Sequence, residues 1–176
     1  MVVLERGNEV NNEASILEQV VLGEIAGKNA AIHAYDKIIW TVRSGYLTLV
    51  FVGWSILLKG VAENTIPGST KHELLYAMLS VSAGLGIGGF YVDWNYLRRK
   101  FRVILALNEI MDELHSSKGD ASVIAGDLLK VSGDDANRNY FSSGYKEAFR
   151  ACLMVYFVPL PTLALAAYFM LKLGSL

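Results

Sequence analysis

Leu74–Val92, LLYAMLSVSAGLGIGGFYV, is nineteen residues long and carries no charge. At about 1.5 Å per residue, a helix of this length crosses a hydrocarbon core of roughly 30 Å. It runs into Asp93-Trp94-Asn95-Tyr96 and then into Arg98, Arg99, Lys100 and Arg102. Aromatics followed by cations are the chemistry of a membrane–water interface, and the cations mark the cytoplasmic side. The stretch predicts a transmembrane helix and fixes its orientation.

Composition agrees with that reading. Of 176 residues, 53 % are hydrophobic and 19 % are charged, below the roughly 25 % of a soluble domain. The net charge of −1 carries no electrostatic signature of a nucleic-acid partner, and none is expected. The single cysteine, Cys152, sits in an apolar run, which excludes a disulfide within the chain and suits a packed small hydrophobe. The opening forty residues lack the apolar core of a signal peptide, so the first apolar segment is expected to direct its own insertion.

Upstream, Met1 to Asn12 has little pattern and reads as a weakly held tail. Asn12 is a candidate N-cap. Ile16, Leu17, Val20, Val21, Ile25 and Ile32 then form an amphipathic helical stripe that predicts a helix over 13–36. Lys37 to Leu58 is the first membrane candidate, interrupted by Arg43. Two readings of Arg43 stand. It snorkels to the headgroups, or it is buried and paired, with Asp93 as the partner if the first two spans are antiparallel. Residues 60–73 read as the link between them, with Pro67-Gly68 as a tight turn.

Within the second span, Ser80, Gly84 and Gly88 recur every four residues. They are the expected helix-packing seam, within one copy or between copies. The letters GLGIGG at 84–89 are not a dinucleotide loop, since no strand precedes them and no phosphate-binding helix start follows. Past Asp93 the helix is expected to continue to about Lys118. Leu97, Phe101, Ile104, Leu107, Met111 and Leu114 supply a coiled-coil-like stripe. A short amphipathic helix is expected over 120–131 and a loop over 132–139, which lacks the alternating oxygens and closing glutamate of a calcium loop. Residues 151–171 form a third membrane candidate, with Pro159 and Pro161 kinking it near its middle. A re-entrant segment is the other reading of that stretch.

The predicted fold class is an all-α integral membrane protein. It has three transmembrane helices and a cytoplasmic extension built from the N-terminal amphipathic helix and the continuation of the second span. The expected divisions are an amphipathic helix over 1–36, a transmembrane hairpin over 37–93, a cytoplasmic helical region over 94–150 and a third membrane segment over 151–176. With a cytoplasmic N-terminus, thirteen of the sixteen Lys and Arg residues fall inside, and only Lys59, Lys71 and Lys172 fall outside. The bacterial inner membrane is the expected location, with Arg98, Arg99, Lys100 and Arg102 as its basic anchor.

No nucleophile–base pair, paired acid and base, or metal-spaced ligand set is recognisable. His33, His72 and His115 fall on separate elements. The sequence therefore predicts no catalytic, cofactor-binding or metal-binding residues and no enzyme. The layout of 13–118 resembles the small two-transmembrane effectors of bacterial antiphage systems, of the SLATT type or associated with retrons. The resemblance rests on the amphipathic lead, the entry AYDKIIWTVRSGYLTL at 34–49, the hairpin and the helix continuing past RRKFR at 98–102. It implies a homo-oligomeric effector or channel that damages the inner membrane on a cytoplasmic signal. The third apolar segment departs from a two-span plan. A non-catalytic scaffold that docks a cytoplasmic protein through the 97–114 stripe is the alternative.

Overall fold

The computed structural model describes residues 2–116 and 143–173. These form four helices: α1 (Val2–Ala62), α2 (Gly68–Ser116), α3 (Ser143–Phe157) and α4 (Pro159–Leu173). No strand occurs among the described residues. The chain has three prolines, at 67, 159 and 161, and two of the helix boundaries lie beside them. Elsewhere every residue keeps its backbone donor, and the apolar pattern carries the helix on.

Three helical stretches are long and apolar enough to cross a membrane: Glu18–Ala62 within α1, Gly68–Ser116, and Gly144–Lys172 across α3 and α4. The expected N-terminal tail is instead part of α1, which begins at Val2, so Asn12 lies inside the helix and not at its start. No proline interrupts those residues, and the strongly apolar run that follows extends the same helix.

The link between the first two helices is also shorter than expected, only residues 63–67. The turn is made by Asn64, not by Pro67-Gly68. Asn64 has φ of 53°, a left-handed conformation in which asparagine is one of the few tolerated side chains. Its N–H donates to the Val61 carbonyl (3.3 Å), and the Thr65 N–H reaches the Gly60 carbonyl (3.1 Å). This is a Schellman cap, which satisfies the last carbonyls of α1. Gly68 is already the first residue of α2, and the Pro67 carbonyl accepts from the Lys71 N–H at 3.2 Å.

The described chain separates into two units. The first holds residues 2–37 and 98–116 and is the more polar; the second holds 38–97 and 143–173 and is the more apolar. In the first, Val21 and Ile110 form a small core flanked by Ile25 and Leu114. Lys100 Nζ bonds Asp36 Oδ1 across the same pair of helices. The expected stripe on α2 is shifted here. Ala106 and Ile110 are buried, whereas Met111 is exposed. The N-terminal stripe also divides, with Val21 buried and Ile16 and Val20 turned outward. The expected helix at 120–131 and loop at 132–139 lie outside the described residues.

In the second unit, Tyr46, Val50 and Trp54 of α1 meet Leu75 of α2, Cys152 and Tyr156 of α3, and Leu163 and Ala167 of α4. On α1 these residues recur four apart, and on α3 and α4 they do the same, which is the spacing of one helix face. α1 and α2 run antiparallel: as the α1 number rises from Arg43 to Trp54, its α2 partner falls from Asp93 to Ser82.

Candidate functional site

The polar contacts of the apolar unit gather around one ion pair. Arg43 projects from α1 and Asp93 from α2. The guanidinium Nε donates to Asp93 Oδ2 at 2.6 Å, and Nη2 donates to Oδ1 at 3.3 Å. This two-point fork is the geometry that arginine presents to a carboxylate. The Asp93 side chain is fully buried, and that of Arg43 keeps 18 % of its exposure. The structure thus brings together the two residues proposed as partners, and Arg43 takes the paired position. The antiparallel register demands it, because the hairpin sets these two positions at one level.

The third helix closes over the pair. Cys152 and Tyr156 of α3 are both fully buried and are electrostatic neighbours of Arg43. The Tyr156 ring lies against Gly89, where an added Cβ would come within 2.7 Å of the ring edge. Gly86 lies one turn earlier, and an added Cβ there would meet Tyr46 Oη at 3.3 Å. These two glycines let α2 approach both tyrosines. Tyr46 and Tyr156 rings are 4.9 Å apart, and Phe90 packs edge-on to Tyr156.

Proline chemistry supplies a further tie. Pro159 begins α4, and with Pro161 in the same first turn neither needs an N–H there. The break leaves the last carbonyls of α3 without their helical donors. Tyr46 Oη of α1 donates to one of them, the Tyr156 carbonyl, at 3.0 Å. Thr162 Oγ1 donates to the Pro159 carbonyl at 2.7 Å. The expected kink is therefore a junction of two helices at Val158, and one freed carbonyl serves to attach α3 to α1. At the other end of α3, Trp94 Nε1 donates to Tyr145 Oη at 2.9 Å, and Phe149 packs against Phe90 and Trp94.

Two further polar atoms stand out. Trp54 Nε1 donates to Ser82 Oγ at 2.9 Å in a buried bond between α1 and α2. The Tyr156 hydroxyl is buried with no hydrogen-bond partner among the described residues. The Trp54–Ser82, Tyr46–Tyr156 and Trp94–Tyr145 contacts went unread in the sequence. Their signal was a 4-3-4 spacing, Ser82, Gly86, Gly89 and Asp93, which stays on one face of a helix wound about a neighbour. A strict spacing of four rotates away from that face by roughly 40° per step.

The expected seam follows the strict spacing and faces away from the packing among the described residues. Ser80, Gly84 and Gly88 are exposed; nothing lies within 4 Å of a Cβ built on either glycine, and Ser80 Oγ bonds the Tyr76 carbonyl of its own helix. The expected basic anchor is also partly occupied. Arg99 is exposed, Lys100 is held by Asp36, and Arg98 and Arg102 are half-buried with contacts of their own. No group of three or more His, Cys, Asp or Glu side chains converges among the described residues.

What the site offers chemically is a desolvated, net-neutral ion pair enclosed by aromatic rings. It joins α1 to α2, and Cys152 and Tyr156 of α3 lie beside it. Comparison with protein-family models, with curated proteins and with solved structures finds no match for the chain.

Proposed function

We propose that the chain is an oligomeric membrane effector, channel-like in action, that perturbs membrane integrity on a cytoplasmic signal. Its setting is the bacterial inner membrane with the N-terminus inside, and antiphage defence is the role the sequence resemblance implies. The observation that carries the proposal is the continuity of α1 and α2. Each runs unbroken from a polar unit into an apolar unit whose helices are long enough to cross a bilayer. A cytoplasmic partner that binds either helix in the polar unit binds a helix whose sequence continues into the apolar unit. Exposed Trp40 and Tyr91 lie within a turn of Arg43 and Asp93, and exposed Tyr76 lies fifteen residues, roughly 22 Å, before Tyr91 along α2. That placement suits aromatic belts at two lipid interfaces, with the ion pair just inside the cytoplasmic one.

The test is controlled expression with reporter fusions to establish insertion, while potassium and dye leakage are measured. Leakage that follows expression, at membrane abundance where an unrelated three-helix protein causes none, is the expected result. Correct insertion with neither leakage nor growth arrest, even when the native genetic neighbours are co-expressed, would replace the effector with the scaffold that docks a cytoplasmic partner.

A further inference from the structure

The Tyr156 side chain lies along the packed face of α2, and its contacts give its direction. Its backbone carbonyl sits beside Gly86, 3.4 Å from a Cβ built there. Its ring sits beside Gly89, where Cε1, Cδ1 and Cζ come within 2.7, 3.4 and 3.5 Å of a Cβ. The same face continues to Asp93, one turn further on. The side chain therefore follows α2 from backbone to ring, and its hydroxyl is aimed at the level of the ion pair. Cys152 reaches that level from one turn earlier on α3. The two helices run antiparallel, since Tyr145 bonds Trp94 while Tyr156 lies at Gly86 and Gly89. Arg43 and Asp93 are electrostatic neighbours of both Tyr156 and Cys152, and all four residues belong to the apolar unit.

Tyr156 has no exposure, and its Oη makes no hydrogen bond among the described residues. Folding strips such a hydroxyl of the water it bonds in the unfolded chain, so buried hydroxyls are nearly always partnered. The rings of Tyr46 and Phe90 that pack against Tyr156 offer it no strong acceptor. Acceptor capacity lies instead on Asp93. Its Oδ2 takes Arg43 Nε at 2.6 Å, whereas Oδ1 takes Nη2 at 3.3 Å, the long end of hydrogen bonding. A carboxylate oxygen accepts more than one bond, so Oδ1 is suited to a further donor. Two polar groups that share a buried site without a direct bond are commonly spanned by water. A buried water makes about three hydrogen bonds, and Tyr156 Oη, Asp93 Oδ1 and Cys152 Sγ supply that set.

We propose that the apolar unit binds one water molecule between Tyr156 and Asp93. Tyr156 Oη donates to the water oxygen. One water hydrogen goes to Asp93 Oδ1, and the other faces Cys152 Sγ, a weak acceptor. The chemistry of the site selects a small neutral ligand: a cation would meet the Arg43 guanidinium, and an anion would meet the Asp93 carboxylate. The water ties α3 to the ion pair that joins α1 and α2. The site depends on the packing of the apolar unit and is independent of effector activity.

The experiment is magnetic relaxation dispersion of the water oxygen, measured on the full chain in detergent micelles. It counts waters held for longer than the protein takes to tumble. The parent is expected to hold at least one such water. Tyr156→Phe, which keeps the ring and removes the hydroxyl, should hold one fewer. Its melting temperature, followed by size-exclusion fluorescence, is expected to fall by about 2–4 °C. A parent with no long-lived water would overturn the proposal, and that result needs no substitution. An unchanged water count in a Tyr156→Phe chain that melts lower would also overturn it, by assigning the hydroxyl a direct bond to Asp93. So would a Tyr156→Phe chain that melts at or above the parent, because the hydroxyl would then make no bond worth losing.

Discussion

Arg43 and Asp93 show how two costly residues become a specification. An unpaired carboxylate with no exposure is strongly disfavoured in an apolar unit, so Asp93 holds its place only with the guanidinium across it. Any slip of α1 against α2 separates the two. The pair therefore disfavours other registers more than it favours this one. Reversing either charge alone, Arg43→Asp or Asp93→Arg, leaves two like charges facing each other and is expected to cost about 3–5 kcal/mol. The double reversal should recover most of that loss. Thermal unfolding in detergent followed by size-exclusion fluorescence reads this directly. Equal losses in the double and single variants would mean that the pair does not hold the helices.

At the scale of elements, breaks in this chain are made by a few residues with particular backbone demands. Asn64 ends α1 by taking a left-handed φ, and its side-chain Oδ1 accepts from Lys71 Nζ at 2.9 Å on the start of α2. Asn64→Val places a β-branched side chain in that conformation and is expected to destabilise the hairpin by about 1–2 kcal/mol. Asn64→Gly tolerates the same φ and should stay within about 0.5 kcal/mol of the parent, since the lost Lys71 bond is exposed. If both variants melt alike, the Schellman turn is not what fixes this end. The break between α3 and α4 falls beside Pro159 and Pro161; near it Tyr46 Oη donates to the Tyr156 carbonyl at the end of α3, and Thr162 Oγ1 donates to the Pro159 carbonyl within the first turn of α4. The bond from Tyr46 is a tertiary contact beside a helix break.

For the whole molecule, the segregation of charge predicts one topology. The five-residue link and the face bearing Ala26 should lie on opposite sides of the membrane. Thr65→Cys and Ala26→Cys are both at exposed positions. In intact cells a membrane-impermeant maleimide should label Thr65→Cys, and Ala26→Cys should react only after permeabilisation. The reverse pattern would place the polar unit outside, where a cytoplasmic signal cannot reach it, and would end the proposed function.

Much of this architecture is legible without coordinates. The nineteen uncharged residues of 74–92, the scarcity of proline and the placement of charge predict helices long and apolar enough for a membrane, because length and hydrophobicity are local properties. The Arg43–Asp93 partnership was also open to inference, since an antiparallel hairpin leaves few partners for a cation at that depth. The ends of elements were less legible. Residues 2–12 are weak helix formers in isolation, yet α1 extends through them, and helix formation depends on cooperative extension from stronger neighbours. Which small residues of α2 pack inward was not decided by their composition. Ser80, Gly84 and Gly88 differ little in composition from Ser82, Gly86 and Gly89, and only the bulk of Trp54, Tyr46 and Tyr156 opposite selects the second set. Composition determines that a helix forms and what medium suits it; the shape of the partner helices determines which side of it is buried.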